Sequence, residues 1–222
     1  MKFEKNKSLM SGSGEWDESE HPRDSEGKFT KKGLSSLTGS KDENEVSDLK
    51  QTITNAKVSG SKESKIIEKL DIQNKKELNS YIDKCCSVLA DEEIEHSIII
   101  DKDGNVWHTL GDGKFVLPSE EIDRKGSTII HNHADYPHSF SRDDCINIFD
   151  NLNVQYVLAD KEYVYRLIAL KRPDKVWNYY YNQGLDDAIM AGCDYQEKEH
   201  YAMLLMQKEG VICYERNKRQ DN

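Results

Sequence analysis

The sequence predicts an α/β protein: a mixed, antiparallel-rich sheet flanked by helices, with a disordered N-terminal arm and a C-terminal helical extension. Three observations predict it. Short β-branched runs bounded by turn residues recur between positions 94 and 170. Stretches with apolar residues spaced by three and four lie before, between and after them. Apolar residues are also unevenly distributed, with 13 in the first 60 positions and 67 in the remaining 162. Only the second part can bury enough surface to offset the entropy of ordering.

Residues 1–60 therefore read as an arm and linker, with 35–60 as a polar spacer. Residues 61–90 read as a helical lead-in, because Ile66, Ile67, Leu70, Ile72, Leu78, Tyr81, Ile82, Cys85, Val88 and Leu89 follow a helical spacing. Asn74 and Glu77 form a capping-box-like start for its second helix. A core of residues 91–170 begins with a strand from Ile94 to Ile100. The Asp103-Gly104 turn then returns an antiparallel strand from Val106 to Leu110. Phe115–Leu117 suggests a third short strand, and Ser119 a short polar helix. Thr128–Ile130 is a buried strand that runs into a histidine-rich loop. Ser141–Leu152 is a helix with Cys145, Ile148, Phe149 and Leu152 on one side. Val154–Ala159 and Tyr163–Leu170 form a hairpin. In the extension, residues 171–222, Pro173–Gln207 is mainly helical and Val211–Tyr214 a last strand.

Composition excludes several classes. A formal net charge of −10 opposes a phosphate backbone, so no nucleic-acid partner is expected. No apolar run approaches the roughly 18–20 residues of a membrane span, and no apolar segment follows the N-terminal charges, so no membrane partner and a cytoplasmic location are expected. The five cysteines, Cys85, Cys86, Cys145, Cys193 and Cys213, are odd in number and contain no CxxC pair. Reduced, mostly buried thiols follow.

Chemistry concentrates between Ser127 and Asp144. His131 and His133 alternate at a strand end and project to one side, so both imidazoles can approach one ion. Catalytic zinc takes three His, Asp or Glu ligands and keeps a position for water. Asp144, in the first turn of the next helix and three residues after Ser141, is a candidate third ligand. Each element also has a plainer use: Ser141-x-x-Asp144 is a helix capping box, and the two histidines can be satisfied polar residues at a strand end. The His-Asn-His tripeptide does not make an HNH nuclease, whose three residues are spread over a ββα-metal unit.

The string His131-x-His133-x(7)-Ser141-x(2)-Asp144 resembles the JAMM motif of the JAB/MPN metalloprotease family, and is similar to the JAB-like domains of phage and toxin-related proteins. Ala134 stands where many relatives carry proline. The resemblance implies a JAB/MPN-like sheet and Zn2+ held by His131, His133 and Asp144. It implies Glu95 as general base, and Ser141 beside the oxyanion. Glu93 is the alternative base. The reaction implied is hydrolysis of a peptide or isopeptide bond in a protein substrate, often a ubiquitin-like conjugate. An alternative is a virion-associated interaction protein that uses the fold as a scaffold. The segment Trp16-x(4)-His21-Pro22-Arg23-Asp24-x-x-Gly27-Lys28-Phe29 resembles a short motif of phage minor head proteins. It implies a bacterial-host or virion-associated setting and phage head proteins as candidate partners.

The remaining polar residues read as structural. His138 is a solvated loop histidine, with a substrate contact or substitute ligand as the alternative. His96 and His108 fit hairpin surface positions. Trp177 and Tyr179–Tyr181 pack between C-terminal helices, with a partner-binding face as the alternative, while Asp186, Asp187, Glu197 and Glu199 form a solvated helix face.

Overall fold

Seven strands lie side by side in the computed structural model, which describes residues 43–112, 116–134, 138–151, 155–170, 176–194 and 197–219. The element order is α1 (Glu43–Ser59), β1 (Lys65–Lys69), α2 (Lys75–Leu89), β2 (His96–Ile100), β3 (Asn105–Leu110), β4 (Thr128–Asn132), α3 (Arg142–Asp150), β5 (Gln155–Ala159), β6 (Tyr163–Ala169), α4 (Val176–Met190), α5 (Lys198–Lys208) and β7 (Ile212–Lys218). The strands are ordered β1-β3-β2-β4-β5-β6-β7. Neighbours are antiparallel except β4 and β5, which run parallel. The architecture is thus mixed α/β, as expected from the sequence.

Alternation along the strands divides the core. On one face Ile98, Ile100, Val106, Ile130, Val157 and Ala159 pack against α1 and α2. On the other, Ile99, Ile129, Tyr156, Leu158, Tyr165, Leu167 and Tyr214 pack against α3, α4 and α5. Parallel neighbours need a crossover link, and α3 supplies it between β4 and β5. Helices α4 and α5 meet backbone to backbone at Gly184, where an added Cβ would lie 2.5 Å from Ala202 Cα. Four cysteines are buried free thiols and Cys193 is half-buried and free.

Local signals explain much of this. Asn74 caps α2, its side chain accepting from Glu77 N–H and donating to Glu77 Oε2. The β2–β3 hairpin turns at Gly104, which takes φ +83. Asp101 stabilises that turn by accepting from Asp103 N–H, Asn105 N–H and Trp107 Nε1–H.

Several expectations are corrected. The polar spacer proposed for 35–60 contains α1, whose Leu49 and Ile53 are buried in the core. The helical lead-in of 61–90 is instead an edge strand, β1, followed by one helix. Ile66 is half exposed there, and pairing with β3 rather than helical periodicity decides the conformation. Val116 and Leu117 are not in a strand, and the segment after Ser119 is a turn rather than a helix. Phe115, Leu152, Val154, Pro173 and the Trp16–Phe29 motif lie outside the described residues. Tyr181 and Trp177 are core residues, but Tyr179 is 64% exposed. No helix of the described residues is long and apolar enough to cross a membrane.

Candidate metal centre

Strand β4 presents His131 at its C-terminal end, and His133 follows one residue beyond the strand. Asp144 arrives from α3. Its helix is started by Ser141, whose hydroxyl accepts from Asp144 N–H at 3.2 Å and donates to Asp144 Oδ2 at 2.7 Å, while Ser141 N–H donates to the same oxygen at 2.8 Å. The capping box and the ligand position are therefore the same residues. Capping starts the helix, and the capping donors aim its carboxylate.

The three side chains converge on one point. His131 Nε2 and His133 Nε2 are 3.1 Å apart. Asp144 Oδ1 is 3.3 Å from His131 Nε2, and Oδ2 is 3.6 Å from His133 Nε2. Ligands on a tetrahedral ion with bonds of about 2.0–2.1 Å are separated by about 3.3–3.4 Å. The nearest separations are of that size, though the two histidines face different oxygens of Asp144, and one ligand atom from each residue lies within 4.8 Å of the others, so the group can hold a metal ion. Among the described residues it is also the group of His, Cys, Asp and Glu side chains with metal-holding geometry.

Electrostatics prepares the ligand atoms. Burial pulls His131 down to about 4, with the Asp144 charge opposing and His133 adding to the fall, so its imidazole is neutral at pH 7. Burial acts to raise the Asp144 carboxyl, but His131, His133 and Ser141 beside it hold it well below the usual carboxylate range. Neutral imidazole and ionised carboxylate are the forms that ligate. His133 Nδ1 lies 3.2 Å from the His138 carbonyl, an outer contact of the kind that turns Nε2 toward an ion. Tyr156 closes the back of the site. Its ring lies edge-on to His131 at 5.1 Å, and burial, then the Asp144 charge, keeps its hydroxyl protonated.

Glu95 immediately precedes β2 and is half-buried, whereas Glu93 is exposed in a bend. Ser97 pairs with His131 across β2 and β4. Continuing that alternation places residue 95 on the same sheet face as His131. The sequence reading gave no role to Asn132, which is fully buried between the two histidines. Its amide donates to the Glu92 and Ile94 carbonyls and its Oδ1 accepts from His96 N–H, gripping the chain on both sides of Glu95. A buried asparagine flanked by candidate ligands was the available signal.

Several polar residues expected at the surface are engaged by the fold instead. His138 stacks on His133 with ring centroids 4.1 Å apart and approaches Glu199 Oε2 at 2.9 Å. Burial alone would lower His138, but Glu199 outweighs it and the net shift is upward. Glu199 therefore lies against the site rather than on an exposed helix face, and Glu197 pairs with Arg216 through both oxygens at 3.0 and 2.9 Å. Asp186 and Asp187 are exposed as expected. His96 and His108 are buried on the opposite sheet face, with Nδ1 and Nε2 2.9 Å apart, where α1 and α2 cover the hairpin. No family model, curated protein or solved structure matches this chain.

Proposed function

We propose that this chain is a zinc-dependent hydrolase of JAMM type that cuts a peptide or isopeptide bond in a protein substrate. The observation carrying this reading is the convergence of His131 Nε2, His133 Nε2 and the Asp144 carboxylate, whose nearest separations are 3.1–3.6 Å. It supports the reading because the motif order and the ion-sized geometry fall on the same three residues. When bound, zinc supplies a Lewis acid and lowers the pKa of a water to about 7.

The chain's own groups supply the rest. Glu95 takes a proton from the attacking water and returns it to the leaving nitrogen. Asn132 holds the backbone that carries Glu95. Ser141 holds Asp144 through its one hydroxyl proton, and that proton serves the developing oxyanion only by turning away from Asp144 Oδ2, which keeps the Ser141 N–H as a donor. His131 stays neutral because it is buried, so one ring nitrogen keeps a lone pair for an ion.

Metal analysis of the purified chain is expected to find about one zinc per chain. Cleavage of ubiquitin-like conjugates or a phage head protein, with and without chelator, tests the chemistry. Chelator-sensitive cleavage that disappears in Glu95→Gln, with zinc retained, supports the hydrolase. Tight binding of such a protein without cleavage replaces it by the scaffold reading. Full activity in Glu95→Gln moves the base to Glu93.

A further inference from the structure

We propose that Glu199 is a positioning residue for the candidate metal centre: acting through His138, it fixes the ring of His133 so that Nε2 faces His131 and Asp144. The proposal rests on the metal-site reading above, and extends the site into a helix that carries none of the motif. Glu199 is the second residue of α5, with its side chain 14% exposed. A carboxylate so placed is costly unless it faces a donor. Its Oε2 lies 2.9 Å from His138 Nδ1, which is also 3.1 Å from the Ser139 carbonyl. The Nδ1 proton goes to the Ser139 carbonyl, while the Glu199 carboxylate, whose Oε2 accepts no hydrogen bond, lies against the same nitrogen as its ion-pair partner and holds the His138 ring by charge.

Residue 138 acts on His133 in two ways. Its ring lies over the His133 ring, with centroids 4.1 Å apart and planes 34° apart. Its carbonyl oxygen is 3.2 Å from His133 Nδ1. A carbonyl only accepts, so this contact selects N–H on Nδ1 and leaves the lone pair on Nε2. Nε2 is the atom turned toward Asp144 and His131.

The rest of the segment is anchored independently. Ser139 Oγ is 2.9 Å from the Tyr214 hydroxyl, which is 2.8 Å from His200 Nδ1. Phe140 is fully buried among Tyr156, Tyr165 and Tyr214. Removing Glu199 therefore loosens residue 138 without releasing the following two. Helix α5 is itself firmly placed, through the close approach at Gly184 and the buried side chains of Ala202, Met203 and Met206.

The test uses the full chain stripped of metal, titrated calorimetrically with Zn2+ alone. Separately, the metal-free protein is examined at pH 8 by nitrogen-resolved imidazole NMR, which reports which ring nitrogen of His133 carries the proton. Glu199→Ala is expected to weaken Zn2+ binding about 10- to 100-fold, the usual effect of losing an outer partner of a ligand. It is also expected to turn a single Nδ1–H tautomer of His133 into a mixture. Glu199→Gln keeps the shape but loses the charge, and is expected to follow Glu199→Ala in both. His138→Ala removes the grip from the other side and carries the same readouts if Glu199→Ala does not fold. Wild-type affinity together with an unchanged His133 tautomer in Glu199→Ala overturns the proposal. If the wild-type chain takes up no Zn2+, the metal reading fails and the metal-free tautomer comparison alone decides. A mixture in the variant then supports the role of Glu199, and identical spectra overturn it.

Discussion

Two histidine pairs lie on opposite faces of the sheet, and their differences show what makes a ligand set. In one pair His131 and His133 turn matching Nε2 atoms inward at 3.1 Å, with a carboxylate closing the triangle. In the other, His96 Nδ1 meets His108 Nε2 at 2.9 Å, a donor–acceptor arrangement that satisfies both atoms internally. The nearest carboxylate there, Glu92, is 3.9 Å from His96 Nε2, the opposite edge of the ring, and is engaged by Lys57 at 2.6 Å. Both pairs are buried, and desolvation keeps His96, His108 and His131 neutral at pH 7. Burial and proximity are therefore common to both. A convergent anion, and the carbonyl contact at His133 Nδ1, mark the first.

The comparison breaks most directly at the first pair. His131→Ala or Asp144→Ala is expected to abolish zinc retention through dialysis, whereas His108→Ala is expected to leave stoichiometry unchanged; elemental analysis of the three variants decides. Next in size is Phe140→Ala, which removes a fully buried ring packed against Tyr156, Tyr165 and Tyr214. A loss of about 3–5 kcal/mol in chemical denaturation is expected.

The second pair predicts a pH effect. Burial lowers His96 to about 3, with His108 and Lys57 contributing, and lowers His108 to about 4. The unfolded chain takes up these protons first, near pH 6.5, so the stability is present above that value. It is lost as pH falls toward about 4. A histidine lowered from 6.5 to about 4, as His108 is, contributes about 3 kcal/mol over that window. Urea unfolding of metal-free protein at pH 7 and 4.5 is expected to show the fall. The double variant His96→Leu/His108→Leu is expected to show a smaller one. The smallest effect expected is that of Ser141→Ala, about 1 kcal/mol from the lost helix cap. An accompanying loss of zinc affinity would separate its hold on Asp144 from capping alone.

Local rules made the candidate site legible. Alternation at the end of β4 and the capping box of α3 each fall within a few residues, and together they contain all three candidate ligands. The β2–β3 hairpin was legible for the same reason, since Asp103-Gly104 states its own turn. What was not legible depends on partners remote in sequence. Helix α1 carries few apolar residues, and Leu49 and Ile53 matter only because α2 lies beneath them. Ile66 and Ile67 fit a helical spacing, yet β3 offers backbone partners that α2 does not. Glu199 looks like any exposed helix glutamate until β7 and α5 bring it to His138.

The single parallel contact, between β4 and β5, has a consequence for the order in which the molecule matures. His131 and His133 sit on one strand, but Asp144 is set at its angle by a helix that rests on the Tyr156 and Leu158 side of β5. A nascent chain that has not yet laid β5 beside β4 offers an ion two nitrogens and a loosely tethered carboxylate. Tight capture of an ion would then mark the completion of this crossover, and metal loading during synthesis would run late rather than as the histidines emerge.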